Sequence, residues 1–427
     1  MTSGAGRGTG EYSVVEICAG AGGQALGLEK AGFEHKLAIE LDENAAGTLQ
    51  HNRPQWDVRI GDVASSVVWN PADFEGVGLL AGGVPCPPFS IAGRQLGASD
   101  ERDLFAWAVE QVAVVKPRAL LLENVRGLSQ PRFAAYRQRV LDRLADLGYE
   151  AFWKLLHSSD FGVPQLRPRF VLVALKPDDA RFFAWPEGSD STRTVGSALG
   201  NLMAANGWPH TGDWVKMANA IGPTIVGGSK KHGGADLGPT RAKEAWLKLG
   251  VDGKGIVEDP PSAFAPHPSV KAPRLTIDMV KRIQGWEEID DWRFLGRKTS
   301  QYRQIGNAFP PPVAAAVGRS IVAAFNRELA ADGTERASGA VSADPLFSLL
   351  SASDGGGVRE SEIFAAIPEI TEKSLGGRLE RLSMDFAIHE AVVDGEAVYH
   401  LGEFRGFTGQ TEHFRHDYIL ANRSRVS

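Results

Sequence analysis

Over the first 185 residues short apolar runs alternate with amphipathic stretches, and this rhythm constrains the fold more than any other feature of the chain. Residues 13–18 read as a buried strand, a glycine turn follows, and a helix runs to about Lys30. Residues 37–40 form a second strand and 43–52 a second helix. Further strands are expected at 78–81 and 119–122, with a helix at 104–115 between them, then a helix at 133–147 and a late strand at 170–175. Strands that alternate with helices at this spacing build a mostly parallel sheet covered on both faces, because each parallel crossover needs a helix-length connection. Ligands of such α/β sheets sit outside the carboxyl ends of the strands.

The rhythm stops near Trp185. Residues 186–271 are rich in Gly, Pro, Asn and His with little clean periodicity, and read as a separate irregular lobe. Helical patterning resumes at 275–284 and 312–327, the latter with Val313, Val317 and Ile321 on one stripe, so 272–329 is expected to rejoin the domain begun at 11–185. Residues 330–343, small and polar, read as a linker to a unit at 344–427. There, helical stretches at 358–366 and 372–382 precede apolar runs at 386–393 and 397–401, split by the hairpin signal Asp394-Gly395. Helices followed by a hairpin suit a small winged-helix-like α+β module.

Composition closes off other classes. Of the 427 residues 43% are hydrophobic and 23% charged, which excludes wholesale disorder and collagen-like repeats. The net charge of -6 excludes a uniformly basic protein but not a nucleic-acid binder, which depends on local patches. Two cysteines, Cys18 and Cys86, cannot build a disulfide framework, and with no apolar run in residues 1–10 a cytoplasmic location is expected. The uncharged stretch 76–93 is too broken by Gly and Pro for a membrane helix, so no membrane association is expected.

The turn Glu16-Ile17-Cys18-Ala19-Gly20-Ala21-Gly22-Gly23 lies between the first strand and helix, where the backbone can approach a ligand at a helix N-terminus. Glu40, ending the second strand, stands about the right distance onward to bond ribose hydroxyls, and Asp62, in Gly61-Asp62-Val63, follows a presumed third strand that precedes the one at 78–81, and is suited to an adenine amino group. This pattern does not separate a dinucleotide from S-adenosylmethionine. Cys86 follows the fourth strand in Gly82-Gly83-Val84-Pro85-Cys86-Pro87-Pro88-Phe89-Ser90. Prolines on both sides fix the chain there, which favours a nucleophilic thiol over an inert buried one. Cys18 reads as the buried end of a strand. Glu123 directly follows the apolar run Leu120-Leu121-Leu122, where burial would raise its pKa and let it donate a proton near neutral pH. Arg167 and Arg169 alternate in an extended segment, point the same way, and suit a carbonyl oxygen or a phosphate.

In order and spacing these blocks resemble the DNA (cytosine-5) methyltransferases over about residues 14–325. Residues 16–23 resemble the family's cofactor block, and Pro85-Cys86 with Phe89-Ser90 its catalytic block. Glu123-Asn124-Val125 is similar to the next hallmark and Gln165-Leu166-Arg167-Pro168-Arg169 to the paired-arginine block. Residues 274–286 resemble the helix after the recognition region, and Gln301-Tyr302-Arg303-Gln304-Ile305-Gly306-Asn307-Ala308 the block that returns to the cofactor pocket.

The resemblance implies a Rossmann-like S-adenosylmethionine-dependent methyltransferase domain, a small target-recognition lobe, and the winged-helix-like unit outside the family's span. It implies that a cytosine is flipped from duplex DNA, that Cys86 attacks ring carbon 6, that Glu123 contacts or protonates ring nitrogen 3, and that Arg169 steadies the exocyclic oxygen. Arg167 would help hold the base and the Glu123 region. S-adenosyl-L-methionine would be bound by Cys18, Ala19, Gly20, Gly22, Gly23, Glu40, Leu41, Asp62, Val63, Pro85, Leu104, Asn307 and Ala308, with no metal. DNA would be met by a closing loop at 90–95 carrying Ser90, Arg94 and Gln95, and in the lobe by Lys230, Lys231 and Arg241. Family members often carry an aromatic residue where Cys18 stands, so the adenine-edge contact differs here.

Residues 216–254 hold seven Lys or Arg against three Asp or Glu, a local positive excess that suits phosphate contacts. The partners expected are double-stranded DNA and a cognate endonuclease or defence proteins, with a monomeric enzyme in the bacterial cytoplasm near the nucleoid. Competing readings are a tRNA cytosine-5 methyltransferase, a nucleotide-binding dehydrogenase that leaves Pro85-Cys86 unexplained, and a catalytically silent DNA-binding regulator.

Overall fold

The protein, seen in a computed structural model, is described over residues 12–85, 102–189, 192–227, 235–328, 344–353 and 355–405. Seven strands form one sheet: β1 (Ser13–Ile17), β2 (Glu34–Glu40), β3 (Val58–Ile60), β4 (Leu79–Gly82), β5 (Ala119–Val125), β6 (Glu150–His157) and β7 (Pro168–Leu175), in the order β3-β2-β1-β4-β5-β7-β6. The first five pair in parallel, and β7 runs antiparallel to both β5 and β6. The sheet is thus mostly parallel, as the rhythm predicts. Strand β6 was hidden in the sequence because it lies at the sheet's edge: only Phe152, Trp153 and Leu156 of its eight residues are buried, so it shows no continuous apolar run.

Five helices follow the strands of this domain: α1 (Gly23–Lys30), α2 (Glu43–Asn52), α3 (Arg102–Val115), α4 (Ala134–Asp146) and the short α5 (Pro177–Ala180). Helix α2 starts where Asp42 accepts from the Asn44 and Ala45 amides, which fixes its first turn.

Residues 186–271, the expected lobe, contain α6 (Val195–Met203), α7 (Thr211–Met217), α8 (Thr240–Lys248) and β8 (Ile256–Val257), which pairs with β9 (Leu275–Thr276). This region is largely irregular, as expected, with three short helices that the sequence did not show. Its helices are only nine, seven and nine residues long, and α7 and α8 each bury one tryptophan, Trp214 and Trp246, rather than a long stripe. Two turns of helix give too few repeats for a 3.6-residue period to stand out. Val195, Leu199, Met203, Trp208, Trp214 and Trp246 join one apolar cluster with Ala25 and Leu26 of α1 and Leu49 of α2, so the lobe's core runs into the helical layer beside it.

Three helices complete this part: α9 (Ile277–Ile283), α10 (Lys298–Asn307) and α11 (Pro311–Phe325). Among the described residues Lys298–Phe325 is the one stretch long and apolar enough to cross a membrane by length and composition. It is mostly buried inside the protein and is two helices, the second starting with Pro311 at its first position. The stripe Val313, Val317, Ile321 packs with Leu28 of α1 on one face of the sheet, against Val14, Leu79, Leu121, Val171 and Val173. The opposite face carries Leu80, Leu120, Leu122 and Leu172 under Trp107 of α3 and Val140 of α4. Leu121 and its neighbours on β5 thus take opposite faces, the two-residue period of a strand buried on both sides.

The C-terminal unit runs α12 (Pro345–Ala352), β10 (Val358–Arg359), α13 (Glu360–Ala366), α14 (Glu372–Ser383), β11 (Phe386–Val393) and β12 (Glu396–Phe404), with sheet order β10-β12-β11. Asp394 and Gly395 turn the hairpin with φ of 55° and 81°, the left-handed pair a tight two-residue loop requires. The unit has its own core around Leu346, Phe347, Ile363, Leu375 and Phe386, and it meets α4 through Ala135 and a Tyr136–Phe404 ring contact at 5.9 Å. The expected linker, 330–343, lies outside the described residues.

Candidate active site

The glycine turn is set by its partners on the neighbouring strand. The Gly20 amide donates to Glu40 Oε2 at 2.7 Å, and the Asp42 amide to Glu40 Oε1 at 2.8 Å. Glu40 therefore shapes the turn through the backbone while each carboxylate oxygen keeps accepting capacity. Burial pushes its pKa up, opposed by the Asp42 and Gly20 amides. Gly22 has φ 90° and caps α1. A Cβ on it would sit 2.4 Å from the Trp292 ring, whose Nε1 donates to the Ala21 carbonyl at 3.0 Å. Trp292 is a part of this turn that the sequence reading missed.

Cys18, in the left-handed region at φ 51°, packs with Val63, Val84 and Leu104 on the apolar cluster beside the turn. Ala19 is buried, Leu41 and Asp62 are half-buried, and Asp62 Oδ1 accepts from the Ala64 amide at 3.1 Å. Ala308 reaches the turn from the far end of the chain: a Cβ on Gly23 would meet Ala308 Cβ at 2.9 Å. Asn307 beside it is exposed. Glu16, which belongs to the same sequence block, faces away from any ligand: its Oε2 bonds His35 Nε2 at 2.8 Å, and His35 stacks on Trp56 at 4.0 Å.

Strand β4 carries the chain to Gly83, Val84 and the exposed Pro85. Cys86, Ser90, Arg94 and Gln95 lie outside the described residues, as do Lys230 and Lys231 of the lobe. What surrounds the approach to Cys86 is described. A Cβ on Gly83 would stand 3.5 Å from Glu123 Oε2 and 3.8 Å from the Cys18 carbonyl oxygen, so the glycine turn, the segment leading to Cys86 and Glu123 converge. Asn124 Nδ2 donates to the Val84 carbonyl at 3.2 Å, holding that segment to β5.

Glu123 ends up buried, with Arg169 Nε 2.6 Å from its Oε1. Burial raises the Glu123 pKa, and the charges of Arg169 and then Arg167 pull it partly back. A carboxyl so placed can hold a proton at a pH where a free one has lost it.

The paired arginines part company. Arg167, with 1% of its surface exposed, does not bind Glu123. Its Nη1 donates to the Ile225 carbonyl at 2.6 Å and its Nη2 to the Gly306 and Ala308 carbonyls at 2.7 and 2.9 Å. Both Nη groups of Arg167 are thus engaged by backbone at residues 225, 306 and 308, while its buried Nε has no hydrogen-bond partner among the described residues. Gln165 completes this seam. Its Nε2 donates to the Ile283 carbonyl at 3.0 Å and to Gln284 Oε1 at 2.6 Å, while its Oε1 accepts from the Ile225 amide at 3.0 Å. The signal available in sequence was a glutamine just before the arginine pair, a buried amide that must find partners. Gly227 of the lobe leaves no room for a side chain, since a Cβ there would lie 2.0 Å from Asn307 Oδ1.

The positive excess of the lobe is smaller than its composition suggests. Lys216 pairs with Asp213 at 3.0 Å and Lys243 with Asp236 at 2.7 Å, leaving Arg241, Lys248 and Lys254 exposed among the described residues of that stretch.

A family profile for C-5 cytosine-specific DNA methylases matches residues 12–323. The chain is 57% identical over 418 residues to the Type II methyltransferase M.NaeI of Lentzea aerocolonigenes, covering 97% of this chain and 99% of that protein. It is 48% identical over 322 residues to the Type II methyltransferase M.NgoMIV of Neisseria gonorrhoeae, covering 74% and 99%. In fold it resembles a mutant of Spodoptera frugiperda DNMT2, with a TM-score of 0.51 at 15% identity over 73% of this chain and 99% of that one. The chain belongs to the C-5 cytosine-specific DNA methylases. It is a DNA (cytosine-5) methyltransferase with S-adenosyl-L-methionine as methyl donor.

Proposed function

We propose that this enzyme modifies a specific duplex sequence through Cys86, as the methyltransferase of a Type II restriction-modification pair. The observation that carries the site assignment is the buried Glu123–Arg169 pair beside Gly83, on the segment that runs directly into Pro85-Cys86.

The Cys86 thiolate adds to carbon 6 of a flipped cytosine. Glu123 delivers its proton to ring nitrogen 3, so the charge entering the ring is neutralised, and Arg169 holds both Glu123 and the exocyclic oxygen. Electron density released onto carbon 5 makes that carbon nucleophilic. After methylation a base removes the carbon 5 proton, the carbon–sulfur bond breaks and releases the thiolate, and ring nitrogen 3 returns its proton to Glu123, which restores the neutral aromatic base. A thiolate suits this role because it is a good nucleophile and also a good leaving group.

The donor set fits the methyl donor: a helix N-terminus reached through a glycine turn, with Glu40 and Asp62 at the carboxyl ends of adjacent strands. When bound, S-adenosyl-L-methionine supplies an electrophilic methyl group. Glu40 orients its ribose, Asp62 its adenine, and Cys18, Val63 and Leu104 form the apolar wall, with Leu41, Pro85, Asn307 and Ala308 closing the rest. Residues 11–185 and 272–329 form the catalytic body and 186–271 the recognition lobe, where Arg241 meets phosphate with Lys230 and Lys231. Ser90, Arg94 and Gln95 belong to a loop that closes on the DNA. Residues 344–427 form a winged-helix-like appendage, a reading supported by its helix–strand–helix–helix–hairpin order.

Trapping tests the reading. Duplex DNA with 5-fluorocytosine at the target is expected to cross-link to the enzyme through Cys86, because fluorine cannot leave as a proton does. Methylated product from normal duplex without any cross-link to the fluorinated one is the result that would overturn it.

A further inference from the structure

We propose that the recognition lobe holds one divalent transition-metal ion of the zinc class, bound by His210, Asp213 and His267. His210 stands at the N-cap of α7 and Asp213 three residues on, on the same side of the helix. His267 comes from the loop after β8, between Pro266 and Pro268, which restrict its backbone. One ligating atom from each of the three residues lies within 4.8 Å of the other two. His267 Nε2 and Asp213 Oδ2 are 3.7 Å apart.

Ring geometry supports a shared ion. The His210 and His267 imidazoles have centroids 5.1 Å apart and planes at 76°. Two imidazoles on one tetrahedral zinc, each nitrogen about 2.0–2.1 Å from the ion, also have centres about 5 Å apart. Closing the ligand atoms onto the ion needs side-chain shifts on the order of 1 Å, and all three side chains are half-exposed or exposed and free to make them.

Two of the three side chains are oriented by polar neighbours. His267 Nδ1 lies 2.7 Å from Ser269 Oγ and accepts from the Ser269 amide at 3.3 Å, which fixes the ring with Nε2 on the side of Asp213. Lys216 Nζ donates to Asp213 Oδ1 at 3.0 Å, leaving Oδ2 to face His267. His210 packs edge-on against Trp208 at 6.2 Å. The loop is fastened independently: Asn206 Nδ2 donates to the Pro260 carbonyl at 3.2 Å and Trp208 Nε1 to the Ala265 carbonyl at 3.1 Å. The loop that carries His267 is thus held near α7 by contacts of its own, while the ligand side chains keep room to adjust.

An ordinary surface ion pair explains one imidazole beside a carboxylate, not two. Two imidazoles and one carboxylate, with room for water, select zinc, cobalt or nickel over magnesium or calcium. The site shares no residue with the catalytic centre. The ion acts as a clip that pins the proline-rich loop to α7.

Full-length protein stripped with chelator is titrated with Co2+ and followed by visible absorption, then back-titrated with Zn2+. One equivalent of Co2+ is expected to saturate the signal and Zn2+ to displace it. His210→Ala, His267→Ala and Asp213→Asn are each expected to weaken binding at least about tenfold with unchanged far-ultraviolet circular dichroism, whereas Cys86→Ser binds Co2+ normally. Zn2+ is expected to raise the melting temperature of the parent protein and not of His267→Ala. Absence of saturable binding at one equivalent, or equal affinity in parent and His267→Ala, overturns the site; an equal melting shift in both overturns the clip.

Discussion

At the carboxyl edge of the sheet a buried carboxylate faces a buried guanidinium, Glu123 against Arg169. Two residues before Arg169, at the seam with the recognition lobe, a still more deeply buried guanidinium faces no carboxylate: Arg167 is held by carbonyls from Ile225, Gly306 and Ala308. The first arrangement contains a group whose proton state can change, because burial and the neighbouring cation oppose each other across a short ion pair. In the second, the acceptors are backbone carbonyls, which do not titrate, and burial, with the neighbouring Arg169 charge, lowers the Arg167 pKa. Side by side, two arginines two residues apart differ in what they face: one a group that titrates, the other backbone that does not.

The largest break in this comparison is at the thiol. Cys86→Ser is expected to lower methyl transfer by about 10^3-fold or more while cofactor affinity, read by calorimetry, changes little. Normal turnover in that variant would remove the covalent step and leave Glu123 with no ring to activate.

The next test sets the two arginines against each other. Arg169→Ala is expected to slow methyl transfer by about 100-fold with a modest change in thermal stability. Arg167→Ala strands the buried Ile225 and Gly306 carbonyls, while that of Ala308 still accepts from Gln284, and is expected to cost about 2 kcal/mol or more of stability, together with a rise in the KM for DNA. Chemical denaturation and steady-state kinetics on both variants check the split. Unchanged stability in Arg167→Ala, with loss confined to kcat, would erase the distinction drawn here.

A smaller effect lies in the pH dependence. The Glu123 carboxyl is raised above its ordinary value, so it keeps its proton where a free carboxylate has lost it and gives it up as pH rises through the raised value. Transfer that needs this proton therefore declines on the alkaline side, opposite to the gain expected from ionising Cys86. Glu123→Gln, measured over the same range, is expected to be slower throughout and to lack the alkaline decline. An alkaline limb that survives in Glu123→Gln belongs to another group.

The two regions also differ in how far they were legible. The sheet showed in the sequence because Leu120, Leu121 and Leu122 are buried on both faces and form a continuous run, and because the hairpin at Asp394-Gly395 uses residues that accept positive φ. The carboxylate after that run and its raised pKa followed from the same logic. Strand β6 did not show, since an edge strand needs few buried residues. The helices of the lobe at 186–271 did not show, because single tryptophans on short helices carry its core. The different tasks of Arg167 and Arg169 were invisible for another reason. Alternation along an extended chain fixes which side they take, but their partners come from residues 225 and 306–308, far away in sequence.

Glu40 shares features of both regions and sharpens the comparison at its fine end. Its carboxylate is raised by burial, as at Glu123, yet its partners are backbone groups, the amides of Gly20 and Asp42. If it only shaped the glycine turn, Glu40→Ala would lower the melting temperature and leave the affinity for S-adenosyl-L-methionine unchanged. If it also accepts from the cofactor's ribose, affinity falls by about tenfold, the equivalent of roughly 1.4 kcal/mol, in addition to the loss of stability. Glu40→Gln separates the two, because its single carbonyl oxygen can replace only one of the carboxylate's two amide acceptors. The expected order of affinity is parent, then Gln, then Ala, measured by calorimetry at a temperature where all three are folded. A flat series would confine Glu40 to the backbone and place it with Arg167 as a positioning residue.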